Sequence, residues 1–273
     1  FANDTSDNYG SYGNSTNPLQ ITLDINPPKI IFDNPLKTGE AGKAVGLKYA
    51  RGDLVAFIDS DNILPDKDWL SLMAIPFREN NNIAGAEPLY YTYRKEDAYI
   101  TRYCALMGMN DPLCFFLGNY DRMNLISGKW TDMPVQTKDR GSYLELEVNP
   151  KHIPTMGANG FLVRRRLLNP GAKRYYFFDI DELYILAQDK NNKFAKVKTS
   201  IIHIFSGNLY LFFRKQKRRI RDYTYYRHKN LRKYPWGKVN KIKLLKFVFY
   251  TLTVLPLFSQ ALKGWLKKRD NAW

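Results

Sequence analysis

The amino-acid sequence predicts an α/β fold, in which a sheet is flanked by helices, on three observations. The run Leu54–Ile58 is continuously apolar, which is typical of a strand buried on both faces. Helical and strand-like patterns alternate through the first half of the chain, which favours parallel strands joined by helices. Hydrophobic residues make up 44% and charged residues 25% of the 273 residues, a globular composition that excludes a disordered or collagen-like chain.

Each predicted element has a local signal. Gly52 ends the first helical pattern, in which apolar residues are spaced among polar ones. Pro65 stands near the start of the second helix, where proline is favoured. Around the central strand, the predicted elements are a strand at 30–32, helices at 39–50 and 65–73, a strand at 83–86, an aromatic-rich helical pattern at 99–120, a loop-like or β segment at 129–154, a turn at 157–160 with a strand at 161–163, a helix at 178–188, and strands within 194–205.

Charge is distributed unevenly along the chain. The formal net charge is +16, yet residues 1–204 hold 24 basic and 24 acidic residues, whereas residues 205–273 hold 18 basic and 2 acidic ones. We therefore expect a charge-balanced domain over 1–204 and a separate basic C-terminal region over 205–273. A basic region rich in aromatic residues suits an anionic membrane surface, and it also suits single-stranded nucleic acid.

An uncharged segment in the basic region favours the membrane. Residues 247–258 include Pro256, carry no charge, and are flanked by Lys246 and Lys263. The segment is shorter than the roughly 20 apolar residues that a spanning helix needs, and Pro256 is expected to kink it. We expect an interfacial or re-entrant helix on an anionic membrane surface, with no nucleic acid partner. The alternative is a core helix packed on the globular domain.

Two aspartates follow the central strand. Asp59 and Asp61 are one residue apart at the point where the chain leaves the strand, and α/β sheets bind ligands beyond the carboxyl ends of strands. The turn allows both carboxylates to converge on one cation, and their oxygens suit Mg²⁺ or Mn²⁺, which in turn hold phosphate oxygens. The alternative is an Asp- and Asn-rich turn that caps the next helix.

Several short segments follow one another in a definite order and spacing. The first three are the acidic opening Asn3–Asp7, the stretch from Lys43 through Gly52-Asp53 to Asp59-x-Asp61-Asn62, and the turn and basic run from Gly157 to Arg165. The pair Asp179 and Asp181, the interval from Asp179 to His203, and Gln216-x-x-Arg219 come after them, and together these segments resemble the family 2 glycosyltransferases of GT-A fold. In this resemblance the first strand of the fold is missing, and the chain is expected to be a fragment cut at both ends. Ala2, Ala44, Phe178 and Ile220 depart from the residues that many members carry at these places.

The resemblance implies an inverting transferase with a nucleotide-diphospho-sugar as donor. Asp61, helped by Asp59, would hold Mg²⁺ or Mn²⁺ at the diphosphate, and Asp179 would be the base that takes the proton of the acceptor hydroxyl. Asp181 is expected to raise the pKa of Asp179 by like-charge repulsion. The alternative for these last two carboxylates is a helix N-terminus with favourable negative charge.

Other candidate residues take their roles from the same resemblance. His203 is a candidate third metal ligand or phosphate contact, or else a satisfied histidine at a strand end. Gln216 and Arg219 would clamp the donor diphosphate or the acceptor, or else belong to a solvated basic helix. The expected donor-binding residues are Asn3, Asp4, Lys43, Asp59, Gln216 and Arg219, and the expected acceptor-binding residues are Asn159, Gly160 and Asp181.

The expected acceptor is a lipid-linked or cell-surface glycan. Because basic residues beside membrane segments favour the cytoplasmic face, we expect a membrane-associated protein with its catalytic domain on that face. Two other functions fit parts of the sequence. A nucleotidyltransferase can share the α/β core and the carboxylates, and a nucleic-acid-binding protein could use the basic region.

Overall fold

The computed structural model describes residues 38–168, 176–234 and 240–273. The strand predicted at 30–32 and the candidate residues Asn3 and Asp4 lie outside these ranges. The chain divides into two compact units, one made of the described parts of Phe1–Pro88 and Val135–Ile201, the other of Leu89–Pro134 and Ile202–Trp273. The predicted division at residue 204 falls close to the last of these boundaries.

Most helices and strands of the first unit lie within a few residues of the predicted ones, but the second helix begins at Trp69 and ends at Glu79, so the prediction of a helix over 65–73 with Pro65 near its start is wrong. In chain order they are α1 (Gly39–Tyr49), β1 (Leu54–Phe57), β2 (Asn62–Ile63), α2 (Trp69–Glu79), β3 (Gly85–Tyr91), α3 (Tyr99–Met107), α4 (Pro112–Leu117), β4 (Gln136–Asp139), β5 (Tyr143–Glu147), β6 (Phe161–Arg164), α5 (Asp179–Gln188), β7 (Lys193–His203), α6 (Leu209–His228), α7 (Lys241–Thr253) and α8 (Leu255–Lys267).

Within the described residues, seven strands form one mixed sheet in the order β1-β6-β3-β7-β5-β4, with β2 paired to β7. The expectation of parallel neighbours is wrong for β1 and β3, because β6 inserts between them and pairs antiparallel with both. The strands β1 and β3 therefore run in the same direction without touching. This arrangement brings the turn before β6 to the end of β1, since Phe57 lies opposite Phe161 in the register.

Aromatic side chains fix the end of β1. Phe57 is fully buried and stacks on Phe177, with ring centroids 4.4 Å apart. The indole of Trp69, at the start of α2, is also fully buried and donates its Nε1–H to the carbonyl of Ser200 at 2.8 Å. These contacts connect β1 to the segment that enters α5, and α2 to β7.

The second unit is mostly helical. The pattern predicted as one helical segment at 99–120 is two helices, because a residue that precedes proline avoids the helical conformation. Asp111 is accordingly extended, and its carboxylate caps α4 by accepting the N–H of Leu113 at 2.9 Å. The helix α6 corresponds to the solvated basic helix given as the alternative for Gln216 and Arg219; it spans 20 residues, begins after the cap Asn208, and has no buried residue.

The predicted kink lies at Val254, between α7 and α8, where the two helices meet at 89°. A straight helix is excluded because the ring of Pro256 would clash with the carbonyl four residues earlier, whereas proline is accepted in the first turn of α8. No single helix of the described residues is long and apolar enough to cross a membrane. The bent pair α7–α8, taken together, meets that test by its length and composition alone.

Gly160, in the turn before β6, provides a test of this packing. Its φ is +85°, and a Cβ atom there would lie 2.7 Å from Cδ1 of Ile201 and 3.0 Å from Cζ2 of Trp69. We expect Gly160→Ala to lower the free energy of unfolding by about 2–4 kcal/mol, from the strained backbone and from overpacking. Gly141→Ala is the matched control, because Gly141 has a φ of +84° with nothing within 4 Å. Equal losses for the two variants in thermal unfolding would contradict the packing argument.

Candidate active site

The centre of the site in the first unit is the ammonium group of Lys43, which lies between two aspartates. Its Nζ is 2.8 Å from Oδ1 of Asp59 and 2.9 Å from Oδ2 of Asp179. The Lys43 side chain is 6% exposed, whereas those of Asp59 and Asp179 are 25% and 17% exposed. One buried cation thus joins two carboxylates that remain partly open to solvent.

Three elements bring these groups together. Lys43 lies on α1, Asp59 follows β1 by two residues, and Asp179 is the first residue of α5. The stack of Phe57 on Phe177 ties β1 to the segment before α5, and the N–H of Phe177 donates to the carbonyl of Glu40 on α1 at 2.9 Å. The position of Asp179 at a helix N-terminus also favours its negative charge through the helix dipole.

The electrostatics of the cluster shift two pKa values. Burial raises the pKa of Asp179 to about 7, and the nearby Asp59 carboxylate acts in the same direction, while the Lys43 ammonium acts against them. Burial alone would lower the pKa of Lys43, but the two carboxylates outweigh it and raise that pKa above its usual range. A carboxylate whose pKa lies near neutrality suits general base catalysis, because it is both available and basic enough.

Asp181 does not play the part expected of it. The like charges that raise the pKa of Asp179 are Asp59 and, more weakly, Glu40. Residues two apart on a helix do not face each other, and Asp179 and Asp181 are the first and third residues of α5. Asp181 is also only 2% exposed, which does not favour contact with an acceptor.

The turn after β1 and the turn before β6 are connected by Asn62. Its Oδ1 accepts the N–H of Asp59 at 3.2 Å, and its Nδ2 donates to Oδ1 of Asn159 at 3.1 Å and lies 3.5 Å from Oδ1 of Asp61. The backbone N–H of Gly160 donates to the carbonyl of Phe57 at 3.1 Å. Asn62 was not predicted as a site residue. The sequence feature that could have indicated it is an amide side chain directly after the second aspartate, Asp61.

The metal-binding prediction depends on Asp59 and Asp61. No group of three or more His, Cys, Asp or Glu side chains within 38–168, 176–234 and 240–273 is arranged to hold a metal ion. The chemistry of the aspartates still fits Mg²⁺ or Mn²⁺, because such ions usually take one or two protein carboxylates and complete their shell with substrate phosphates and water. One oxygen of Asp59 is bound by Lys43, so Asp61 is the carboxylate better placed to be the main ligand.

The remaining candidates lie in the second unit. The ring of His203, at the end of β7, packs against Tyr91 and Phe205 with centroids 5.5 and 5.4 Å away. Gln216 donates to the backbone carbonyl of Asn110 at 3.0 Å, and the Arg219 guanidinium lies 5.1 Å from the Phe205 ring centre. Gln216 and Arg219 both belong to α6. A metal or donor role for these three residues stays a prediction.

Comparison with known proteins identifies a family. Residues 16–135 match the family model described as glycosyl transferase family 2. No curated protein and no solved structure matches the chain. The mixed sheet flanked by helices is consistent with the GT-A-like fold expected from the sequence. The matched segment contains Lys43, Asp59 and Asp61, and over this segment the chain is similar to glycosyl transferase family 2.

Proposed function

We propose that the protein is an inverting glycosyltransferase of the hexosyltransferase type. It moves a sugar from a nucleotide-diphospho-sugar to a lipid-linked or cell-surface glycan. The match of residues 16–135 to family 2 supports a nucleotide-sugar donor and an acceptor in general. The observation that carries the proposal is the cluster of Lys43, Asp59 and Asp179, in which a partly exposed carboxylate at a helix N-terminus has its pKa raised to about 7.

Asp179 is the general base in this proposal. The acceptor hydroxyl loses its proton to the Asp179 carboxylate while its oxygen attacks the anomeric carbon of the donor sugar. The bond from that carbon to the diphosphate oxygen breaks on the opposite face, so the configuration inverts and the nucleoside diphosphate leaves with the electron pair. One carboxylate is sufficient, because no covalent intermediate with the enzyme forms.

Lys43 favours the ionised form of Asp179 beside the Asp59 carboxylate. Without a cation between them, one of two neighbouring carboxylates takes up a proton and is lost as a base or as a ligand. Lys43 therefore lowers the pKa of Asp179 from the higher value that burial and Asp59 would otherwise impose. It also restricts the Asp179 side chain by contacts to both carboxylate oxygens, at 2.9 and 3.2 Å.

The other predicted residues bind substrates and ions. Asp61, with the other oxygen of Asp59, would hold Mg²⁺ or Mn²⁺, which when bound offsets the charge that develops on the leaving diphosphate. Asn159 and Gly160 line the acceptor side, where the turn before β6 meets the end of β1. Asn3, Asp4, Gln216 and Arg219 are proposed donor contacts, and His203 a proposed third metal ligand.

We further propose that α7 and α8 lie on an anionic membrane surface, with the catalytic domain on the cytoplasmic face. Each helix exposes apolar residues spaced by three or four, which places them on one face. On α7 the exposed fractions reach 78% at Ile242 and Leu252, and on α8 they reach 76% at Leu255. The exposed apolar residues of the two faces are Ile242, Leu245, Phe249 and Leu252, and Leu255, Phe258, Leu262 and Leu266.

Other contacts within the second unit hold this surface in place. Phe116 on α4 packs against Phe247 and Tyr250 on α7, with ring centroids 5.3 Å away in both cases. Beyond α8, the carboxylate of Asp270 accepts a hydrogen bond from Arg102 at 3.1 Å. These contacts use other faces of the helices and leave the apolar stripes outward. The excess of basic residues after residue 204 complements anionic headgroups.

Substitution of Asp179 tests its assignment as the general base. Asp179→Asn is expected to lower sugar transfer by about 10²–10⁴-fold, because the amide cannot accept the proton. Binding of the nucleotide sugar, measured by thermal shift across a panel of donors with Mn²⁺, should persist. Glu182→Gln, one turn further along α5, is the control and should leave transfer close to the wild-type rate. Transfer by Asp179→Asn at the wild-type rate would contradict the assignment.

The second prediction concerns pH. Transfer requires ionised Asp179, so its rate should rise with pH through about 7 in the wild type. Lys43→Met removes the cation that lowers the pKa of Asp179, so the rising limb of the pH–rate profile should move to higher pH by about 1–3 units. Lys43→Arg keeps a cation and should leave the limb near its wild-type position. A limb that stays in place, or moves to lower pH, in Lys43→Met would refute the role of Lys43.

The third prediction concerns the membrane. The wild type should sediment with phosphatidylserine-containing vesicles more than with neutral ones. Substitution of Leu245, Phe249, Leu252 and Phe258 by serine should weaken this binding at least about tenfold, because each buried large apolar side chain contributes about 1.5–3 kcal/mol. Serine at the exposed residues Ile63 and Leu72 of the first unit is the control. Undiminished vesicle binding by the helix variant, or salt-sensitive binding to oligonucleotides alone, would overturn the membrane proposal.

A further inference from the structure

A buried ion pair in the sheet has no part in the chemistry described above. Glu87 on β3 and Lys196 on β7 are neighbours across adjacent strands, and both side chains are 0% exposed. The Lys196 ammonium contacts Oε1 of Glu87. Two buried charges lose their hydration, and a well-packed apolar pair of the same size is often as stable or more stable. Stability alone therefore gives little reason for an ion pair here.

The second carboxylate oxygen of Glu87 holds the turn before β6. The backbone N–H of Gly157 donates to Oε2 of Glu87 at 2.9 Å, in a fully buried setting. Gly157 has a φ of +104°, a conformation that residues with a side chain rarely adopt. The carboxylate thus fixes one backbone group at the start of the turn Gly157–Gly160, and its other oxygen is in contact with Lys196.

Gly157 lies directly against Asp179. A Cβ atom at Gly157 would lie 2.9 Å from the carbonyl oxygen of Asp179 and 3.4 Å from its Cβ. The backbone of the turn is therefore packed on the residue that we propose as the base, with no space for a side chain between them. A shift of the turn by about 1 Å would open a gap beside Asp179 and release the start of α5.

The far end of the same turn reaches the other carboxylate. Asn159 accepts from Asn62, which accepts the backbone N–H of Asp59. The turn therefore contacts Asp179 at its first residue and is hydrogen-bonded towards Asp59 at its third. Its anchor at Glu87 is in a position to set the geometry of both carboxylates that bind Lys43.

We propose that Glu87, with Lys196, is a positioning residue for sugar transfer. The pair acts through the Gly157 N–H to fix the turn against Asp179, so that the base and the acceptor side keep their relative geometry. This inference rests on the proposed function, since it assigns Glu87 a role in the reaction of Asp179. A carboxylate in this position serves as a charged acceptor for one N–H, and such bonds are stronger than neutral ones.

Two double variants separate this role from simple stability. Glu87→Gln with Lys196→Met removes both charges but keeps an amide oxygen that can accept the Gly157 N–H. Glu87→Met with Lys196→Met removes the charges and the acceptor together. Each variant leaves a buried polar group without its native partner, the glutamine amide in the first and the Gly157 N–H in the second, so melting temperatures are measured for both and kcat is compared at a temperature where both are folded.

We expect the Gln/Met pair to keep kcat within about threefold of the wild type, and the Met/Met pair to lose about 10–100-fold, because small misplacements of reacting groups have effects of this size. The KM for the nucleotide sugar should be the same in both. Amide hydrogen exchange of a peptide containing Gly157 should be faster in Met/Met than in Gln/Met.

The outcomes are distinct. Equal kcat values in the Gln/Met and Met/Met variants would overturn the positioning role, whatever their hydrogen exchange rates. Equal exchange rates of the peptide containing Gly157 would overturn the proposed contact of Glu87 with the turn. A wild-type protein that transfers no sugar from any donor contradicts the proposed function, and this is seen before the variants are compared. The exchange measurement needs no activity, so the contact of Glu87 with the turn is tested in either case.

Discussion

The structure of the site depends on one interaction, the contact of the Lys43 ammonium with Asp59 and Asp179. These groups come from distant parts of the sequence, since Lys43 and Asp179 are 136 residues apart. Two carboxylates brought together without a cation would repel each other, and a buried lysine without a carboxylate would lose its hydration with no compensation. Each group thus requires the others, and the fold must deliver all three to one place.

The sheet and its aromatic contacts make that delivery possible. The strand β6 enters beside β1 in antiparallel register, which puts the turn before β6 at the end of β1 where Asp59 follows. The stack of Phe57 on Phe177 sets where α5 begins. The pair of Glu87 and Lys196 then holds the turn from inside the sheet. Apolar packing fixes the strands and helices around the site, and a few charged contacts fix the side chains and the turn within it.

The C-terminal helices α6 to α8 differ from the first unit because they leave much of their surface exposed. The helix α6 has no buried residue, and α7 and α8 each present an apolar face outward while other faces pack within the second unit. A protein that leaves such a surface uncovered normally uses it for binding. The net charge of the whole chain comes from this region, whereas the residues up to 204 are balanced. In the proposed function, the charge of this region bears on where the protein is located, and a few carboxylates in the balanced part carry out the chemistry.

In β1, Val55 and Phe57 are buried but Leu54 and Ala56 are only partly so, whereas the sequence predicted burial on both faces. The sequence by itself determined other local features: the position of β1, the acidic turn after it, the helix over residues 178–188 and the uncharged apolar segment near the C-terminus. These follow from patterns within about ten residues, where periodicity and turn chemistry decide the outcome. Only the tertiary structure decided the insertion of β6 between β1 and β3, the bridge of Lys43, the link through Asn62 and the buried contact of Glu87 with Gly157. It also replaced Asp181 by Asp59 as the charge that raises the pKa of Asp179. Contacts between distant residues depend on strand order and on which groups share a buried space, and neither is written in local sequence.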